Sequence, residues 1–262
     1  MAELSVSVVT YNNRSEIGRL LKSVTEYTKS VEYEITVIDN ASQDGTVEYI
    51  RENFPTVKII ETGENRGFGF AHNKMLGENS TFHAVLNPDI ELKSDALGEL
   101  TEYLKSNEDV ALVTPKILNP DGTEQYLPKR RPTLKYMVLG RLSRYLKIFR
   151  PIRDEYTMKN AATDKPMQIE FCTGCFMVMR TELFKKVGGF DERFFMYLED
   201  VDLTERLSDY GKIVFYPNAC AVHNWEGGSS KNPKLMKIHI SSMFKYFKKR
   251  RKNKKTQRHS SK

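Results

Sequence analysis

Asp39, Asp89, Glu199, Asp200 and His223 stand at the edges of apolar runs in this sequence and are of types that hold cations or move protons. Carboxylates exchange protons and ligate hard cations, and a neutral imidazole is a common metal ligand. Asp39 ends the run YEITVIDN, and Asp89 is held stiffly behind Pro88 in LNPD. Helix capping, the usual work of an isolated Asp or Asn in a loop, explains neither. Asn13, Asp44 and Ser94 do precede stretches of helical spacing and are read in part as N-caps.

These side chains need elements that bring them to one place. LSVSVVTY (4–11), YEITVIDN (33–40), VKIIET (57–62), FHAVLN (82–87) and VALVTP (110–115) read as strands. Residues 14–29, 44–53, 70–78 and 94–106 between them carry helical spacing. Strand and helix in alternation predict an α/β fold with a mostly parallel sheet flanked by helices. Ligands of such sheets gather at the carboxyl ends of the strands, where Thr10, Tyr11, Asn13, Asp39, Asp44, Arg66, Gly67, Asn87 and Asp89 all follow a strand. Further along, QIEFCTGCFMVMR (168–180) reads as a strand, TELFKKV as a helix, EDVDLTERL as a helix and KIVFYPNACAVH (212–223) as a strand.

Composition narrows the class. Hydrophobic residues are 39% and charged residues 29% of the 262, which excludes collagen-like and wholly disordered chains. No apolar run approaches the ~20 residues that cross a bilayer, and the start lacks the features of a signal peptide, so a cytoplasmic protein is expected. The net charge of +7 is unevenly placed, because residues 245–262 hold ten basic and no acidic residues. Residues 129–153 hold nine more basic residues and no acid. Everything else sums to 22 − 34 = −12, an acidic body with two cationic segments. In 129–153, Met137, Val138, Leu142, Tyr145, Leu146 and Phe149 recur at helical intervals, as in a cationic amphipathic helix that suits an anionic membrane surface.

SVVTYNN, VIDNASQDGT, NRGFGFAHN and LNPDI, followed by TGCFMVMRTELFKKVGGFDERFFMYLEDVDLTERL and VHNWEGGSS, resemble in order and spacing the family 2 glycosyltransferases, in particular their rhamnosyltransferase-like branch. The resemblance covers about residues 4–231. It implies a GT-A fold, a nucleotide-diphosphate sugar donor, a divalent metal, and transfer with inversion at the anomeric carbon. It divides the chain into a nucleotide-sugar-binding half (1–118), an acceptor-binding and catalytic half (119–232), and a basic C-terminal helix and tail (233–262).

The resemblance also implies roles. Asp39 matches the aspartate that reads the base, with Tyr11 against the base, Thr10 beside it, and Asn13 or Asp44 helping with the ribose. Arg66 reaches the phosphates or the base edge, while Gly67 and Gly69 let the backbone approach closely. Asp89 matches the last aspartate of the metal-binding Asp-x-Asp motif, in which Asn87 replaces the first carboxylate. His223 matches a late histidine and is a further metal ligand, so Mn²⁺ or Mg²⁺ is expected, held largely through diphosphate oxygens. Asp200 matches the general base, and Glu199 orients it, contacts the acceptor, or raises its pKa by its charge. Asp202 is read as a first-turn acid favoured by the helix dipole.

Other readings compete. Cys172, Cys175, Cys220 and His223 offer a Cys₃His set, although Cys172 and Cys175 point to opposite faces if they lie in one strand. The basic tail suits nucleic acid, but an acidic body with cationic appendages makes no continuous groove, so no specific nucleic-acid partner is expected. A nucleotide-sugar-binding protein without activity has no use for Asp89, Glu199, Asp200 and His223 together. No G-x-G-x-x-G follows the first strand, which excludes a dinucleotide-dependent dehydrogenase. The expected partners are a dTDP- or UDP-sugar, a glycan or lipid-linked saccharide of an envelope polymer, and an anionic membrane surface met through 129–153 and 245–262. That places the protein peripherally on the inner face of the cell membrane.

Overall fold

The computed structural model describes residues 2–127, 129–161, 164–224 and 232–260, with side chains as far as 252. The WEGGSS part of the last motif falls outside them. The strands are β1 (Leu4–Thr10), β2 (Tyr33–Asp39), β3 (Lys58–Glu61), β4 (Phe82–Leu86), β5 (Ile90–Leu92), β6 (Val110–Leu118), β7 (Met167–Gln168), β8 (Phe176–Arg180) and β9 (Lys212–His223). The helices are α1 (Arg14–Tyr27), α2 (Thr46–Asn53), α3 (Phe68–His72), α4 (Ala96–Ser106), α5 (Leu134–Leu142), α6 (Arg150–Thr157), α7 (Thr181–Lys186), α8 (Glu199–Leu207) and α9 (Pro233–Ser260).

Among the described residues the strands form one sheet in the order β3-β2-β1-β4-β8-β6-β9-β5, with β7 on β9. β1, β2, β3, β4, β6 and β9 run one way, and β5, β7 and β8 run the other. Leu4, Val6 and Val8 of β1 meet Ile17, Leu20, Leu21 and Val24 of α1 on one face. The period of two in the strand and the helical spacing in α1 make those two stripes meet. On the other face Ser5 and Ser7 bond the buried rings of His83 and His72, which satisfies polar groups that would otherwise lie unpaired in the core.

Three registers position the site. β1 and β2 end level, Thr10 opposite Asp39. β8 inserts antiparallel beside β4, with Phe176 opposite Leu86, so Cys175 lies against Asn87 and accepts its backbone N–H at 2.9 Å. β5 pairs antiparallel with β9, Ile90 opposite His223, which brings Asp89 beside His223.

Several sequence expectations change. The run 168–180 is not one strand, because residues between β7 and β8 leave the sheet as a loop carrying Cys172 and Cys175. The opposite-face argument about those cysteines therefore does not apply. The cationic segment 129–153 is not one helix: α5 ends at Leu142, a 3-10 turn spans Lys147–Phe149, and α6 starts at Arg150. The capping residues differ too, since Gly45 and Asp95 hold the N-cap positions of α2 and α4, and the Asn13 side chain makes no cap bond to α1.

The basic C-terminal segment packs on the body. Tyr246 of α9 is buried and its hydroxyl donates to Glu205 Oε1 at 2.9 Å. Lys249 Nζ ion-pairs with Asp191 and Asp202. Asp202 is buried and also accepts from Arg206 Nε at 2.8 Å. Its carboxylate is thus an anchor for α9, beyond any effect on the dipole of α8.

Candidate functional site

The loops after β1 and β2 are laced together. Asn12, at φ +57°, donates its backbone N–H to Ser42 Oγ, and its side-chain oxygen accepts from Gln43 N. Asp44 accepts from Arg14 N and Thr46 N, and Asn13 Oδ1 accepts from Tyr11 N. These bonds hold Tyr11 at the surface, half exposed. Asp39 is buried and its carboxylate accepts from Thr10 Oγ1, Ser42 Oγ and Ser42 N. Thr10 is wholly buried, so it reaches a ligand only by orienting Asp39.

Gly67 has φ +99°, and a Cβ there would sit 2.1 Å from the Phe195 carbonyl oxygen. That carbonyl accepts the Phe68 N–H at 2.9 Å. The close approach expected of the NRG segment is therefore made to the 190s loop, the segment leading into α8. Arg66 lies over the Phe70 ring at 4.0 Å and 3.7 Å from Glu64, with half of its side chain in solvent.

Asp89 Oδ1 and His223 Nε2 are 3.3 Å apart, buried, and without a hydrogen-bond partner among the described residues. A chain of directed bonds sets the histidine tautomer. The Asp121 carboxylate, kept below the usual range by its bonds to Thr123, only accepts. Thr123 Oγ1 donates to it at 2.6 Å, Asn119 Nδ2 donates to Thr123 Oγ1 at 3.0 Å, and Gln125 Nε2 donates to Asn119 Oδ1 at 3.0 Å. Gln125 Oε1 then faces His223 Nδ1 at 2.9 Å, so Nδ1 carries a proton and, in the neutral ring, Nε2 presents a lone pair. In that form two lone pairs face each other and repel unless a cation, a proton or a metal ion, lies against them. The pair fits a divalent ion, and Asn87 follows β4 beside it.

No group of three or more His, Cys, Asp or Glu side chains that could hold a metal forms among the described residues, so a divalent ion at this pair needs further oxygen ligands. All three cysteines are free thiols, and burial pushes that of Cys175 up to about 12. The Cys172, Cys175, Cys220 and His223 side chains do not come together as a metal-holding group.

One loop joins this pair to the acidic helix. The Cys175 carbonyl holds Asn87, and Gly174 N donates to Asp200 Oδ2 at 3.1 Å. Tyr197 and Leu198 both have left-handed backbone, φ +69° and +70°, and turn the chain sharply into α8. Strain of this kind clusters where side chains must be aimed. Burial raises the Asp200 carboxyl to about 6, against backbone N–H bonds that favour its charged form. Glu199 is buried, and burial followed by the Asp200 charge holds its carboxyl well above the usual range. Burial is the main cause of the Asp200 shift, and the charges of the two neighbouring carboxyls oppose one another. Sequence reasoning gave no role to Gly174, Ser42 or Gln125, for which nothing local is a signal.

Residues 5–188 match the model of the glycosyl transferase family 2. The chain belongs to that family. Residues 155–224 of this family 2 glycosyltransferase also match a model described as the N-terminal domain of galactosyltransferase. It is 29% identical over 245 residues, 88% of this chain and 78% of the relative, to an N-acetylglucosaminyl-diphospho-decaprenol L-rhamnosyltransferase of Mycobacterium tuberculosis. It is 25% identical over 260 residues, 94% of this chain and 93% of the relative, to the rhamnosyltransferase WbbL of Escherichia coli.

Among solved structures, the mannosyltransferase PcManGT from Pyrobaculum calidifontis, in complex with GDP-Man and Mn²⁺, aligns with TM-score 0.61 at 18% identity, over 87% of this chain and 58% of that one. GalNAc-T7 with UDP, GalNAc and Mn²⁺ aligns with TM-score 0.65 at 18% identity, over 89% of this chain and 45% of that one. The chain spans about half the length of these two structures, and the likeness establishes the GT-A fold.

Proposed function

We propose that this glycosyltransferase moves a sugar, rhamnose in the first instance, from a nucleoside-diphosphate donor to a hydroxyl of a lipid-linked saccharide, with inversion and with a divalent metal. The observation that carries the reading is the loop 173–175, which ties a carboxylate raised to about 6 to the segment that bears the Asp89–His223 pair. A base and a phosphate-binding cation site on two sides of one loop suit a displacement at the carbon between them.

On the donor side, Asp39 is held by Thr10 and Ser42 with lone pairs left to accept a base N–H, and Tyr11 offers a face for the base. Asp44 and Asn13 support the loops that frame the ribose, and Arg66 has an exposed guanidinium for the phosphates. Asp89 and His223 would hold Mn²⁺ or Mg²⁺, which when bound neutralises charge on the departing diphosphate.

On the acceptor side, Asp200 takes the proton of the attacking hydroxyl as its oxygen bonds the anomeric carbon, and the bond from that carbon to the phosphate oxygen breaks. The electron pair leaves with the nucleoside diphosphate. Glu199, whose carboxyl burial and the Asp200 charge hold well above the usual range, is held in its protonated form more strongly than Asp200, which favours Asp200 as the base.

The membrane surface is the remaining partner. Leu134, Val138, Leu142, Tyr145, Leu146 and Ile148 are exposed on α5 and the turn after it, as are Ile240 and Phe244 on α9. Met137 packs in one cluster with Met243, Tyr246 and Phe247, so the two elements share a side of the molecule. Apolar residues among Arg141, Arg144 and Lys147 suit peripheral attachment to an anionic bilayer, and no described helix is long and apolar enough to cross one.

The test is Asp200→Asn with a nucleotide-sugar panel. Turnover falls ~10²–10⁴-fold while calorimetric donor affinity stays within about twofold, since the base acts on the acceptor. Near-normal turnover removes Asp200 from the mechanism.

A further inference from the structure

A second cationic feature lies on the segment that follows β6. A cleft of about 490 Å³ is lined by Arg130, Arg131, Thr133, Tyr136, Glu170 and Arg250. It forms where the segment after β6 meets α9, so residues far apart in sequence converge on it. The charges do not cancel. Arg131 and Arg250 share one carboxylate, Glu205, at 2.9 and 3.8 Å, and Glu205 also accepts from the Tyr246 hydroxyl. Glu170 lies at the exposed rim, where it accepts the Arg131 backbone N–H at 2.9 Å. The Nε–H of Arg130 is buried and has no hydrogen-bond acceptor among the described residues, while that of Arg131 faces Glu205. A buried donor without an acceptor is unfavourable, and an oxyanion in the cleft would satisfy it.

The place of the cleft is informative. Arg131 meets α8 at Glu205, five residues beyond Asp200, or about 7.5 Å along the helix axis. Lys129 and Arg130 donate their backbone N–H groups to the Tyr156 carbonyl at 3.2 Å, and burial, followed by the Asp200 charge, pushes the Tyr156 hydroxyl up.

We infer that this arginine cleft binds the phosphate or diphosphate at the reducing end of the acceptor saccharide and so sets which hydroxyl reaches Asp200. The inference rests on the proposed lipid-linked acceptor. Planar guanidinium groups present paired N–H donors, the geometry that phosphate oxygens accept. Thr133 and Tyr136 add polar side chains to the lining, and the exposed apolar residues of α5 begin at Leu134, next to Thr133. A lipid-linked saccharide thus has a path from the bilayer to the base with its phosphates in the cleft.

The test compares Arg130→Gln and Arg130→Lys with the wild type on two acceptors: N-acetylglucosamine carried on a short prenyl diphosphate, and the same sugar as a phosphate-free alkyl glycoside. The ratio of kcat/KM for the first over the second falls at least tenfold in Arg130→Gln, through KM, and is partly restored in Arg130→Lys. Calorimetry with inorganic pyrophosphate in chelator gives at least tenfold weaker binding to Arg130→Gln, a reading independent of turnover. An unchanged ratio, or equal losses on both acceptors, overturns the inference. Reduced binding to phosphatidylglycerol vesicles with an unchanged ratio also overturns it and gives the cleft to a bilayer headgroup. If the wild type transfers to neither acceptor, the acceptor reading has failed, and the pyrophosphate difference then decides the cleft alone.

Discussion

His223 Nε2 faces Asp89 Oδ1 at 3.3 Å, and neither atom has a hydrogen-bond partner among the described residues. The Gln125 amide, oriented by Asn119, is the reason that the imidazole lone pair points at the carboxylate. Gln125→Leu should therefore weaken Mn²⁺ binding in the presence of nucleoside diphosphate ~10–100-fold, read by electron paramagnetic resonance. Nitrogen NMR of the labelled histidines, five in the sequence, should show His223 protonated on Nδ1 in the wild type and a mixed tautomer in the variant. The same tautomer in both would remove Gln125 from this role.

The acid side of the pH profile follows from Asp200. Its carboxyl is raised to about 6, so turnover should fall as pH drops through 6, when the base becomes protonated. Stability moves the opposite way on account of this group. A folded-state carboxyl above its unfolded value binds more protons when folded, which favours the fold as pH falls from about 6 toward 4. Kinetics and thermal melts run in parallel at pH 5 should show an inactive but folded enzyme. Loss of both together would assign the acid limb to unfolding.

Gly67→Ala places a methyl carbon against the Phe195 carbonyl at a backbone φ of +99°. Strain of ~1–3 kcal/mol is expected from the backbone conformation alone, with the clash added to it. A lower melting temperature and weaker donor binding should appear together, because the NRG segment and the turn into α8 meet there. A melting curve superimposable on the wild type would show that the loops can part freely.

Two residues two positions apart in α9 should behave differently. Tyr246 is buried, and Tyr246→Ala should destabilise by ~3–5 kcal/mol, the range for large aromatic deletions. Phe244 is exposed, and Phe244→Asp should leave the melt unchanged while lowering binding to anionic vesicles in a flotation assay. Equal vesicle binding by wild type and Phe244→Asp would take α9 out of the membrane contact.

By itself the sequence determined the strands of the first half, the alternation that makes them parallel, and most residues proposed here to carry the chemistry. Those features are local: a strand writes its period of two, a helix its longer period, and a carboxylate after a strand in a parallel sheet emerges on one edge. The tertiary structure decided the rest. The three-residue strand β5 is too short to have a period, yet its register with β9 sets Asp89 against His223. The run 168–180 reads as one apolar strand, and only its insertion beside β4 shows that Gly174 and Cys175 bridge Asn87 to Asp200. Asp202 looks like a dipole acid until Lys249, 47 residues later, lies against it. Burial and register depend on partners distant in the chain, and a local pattern holds no record of them.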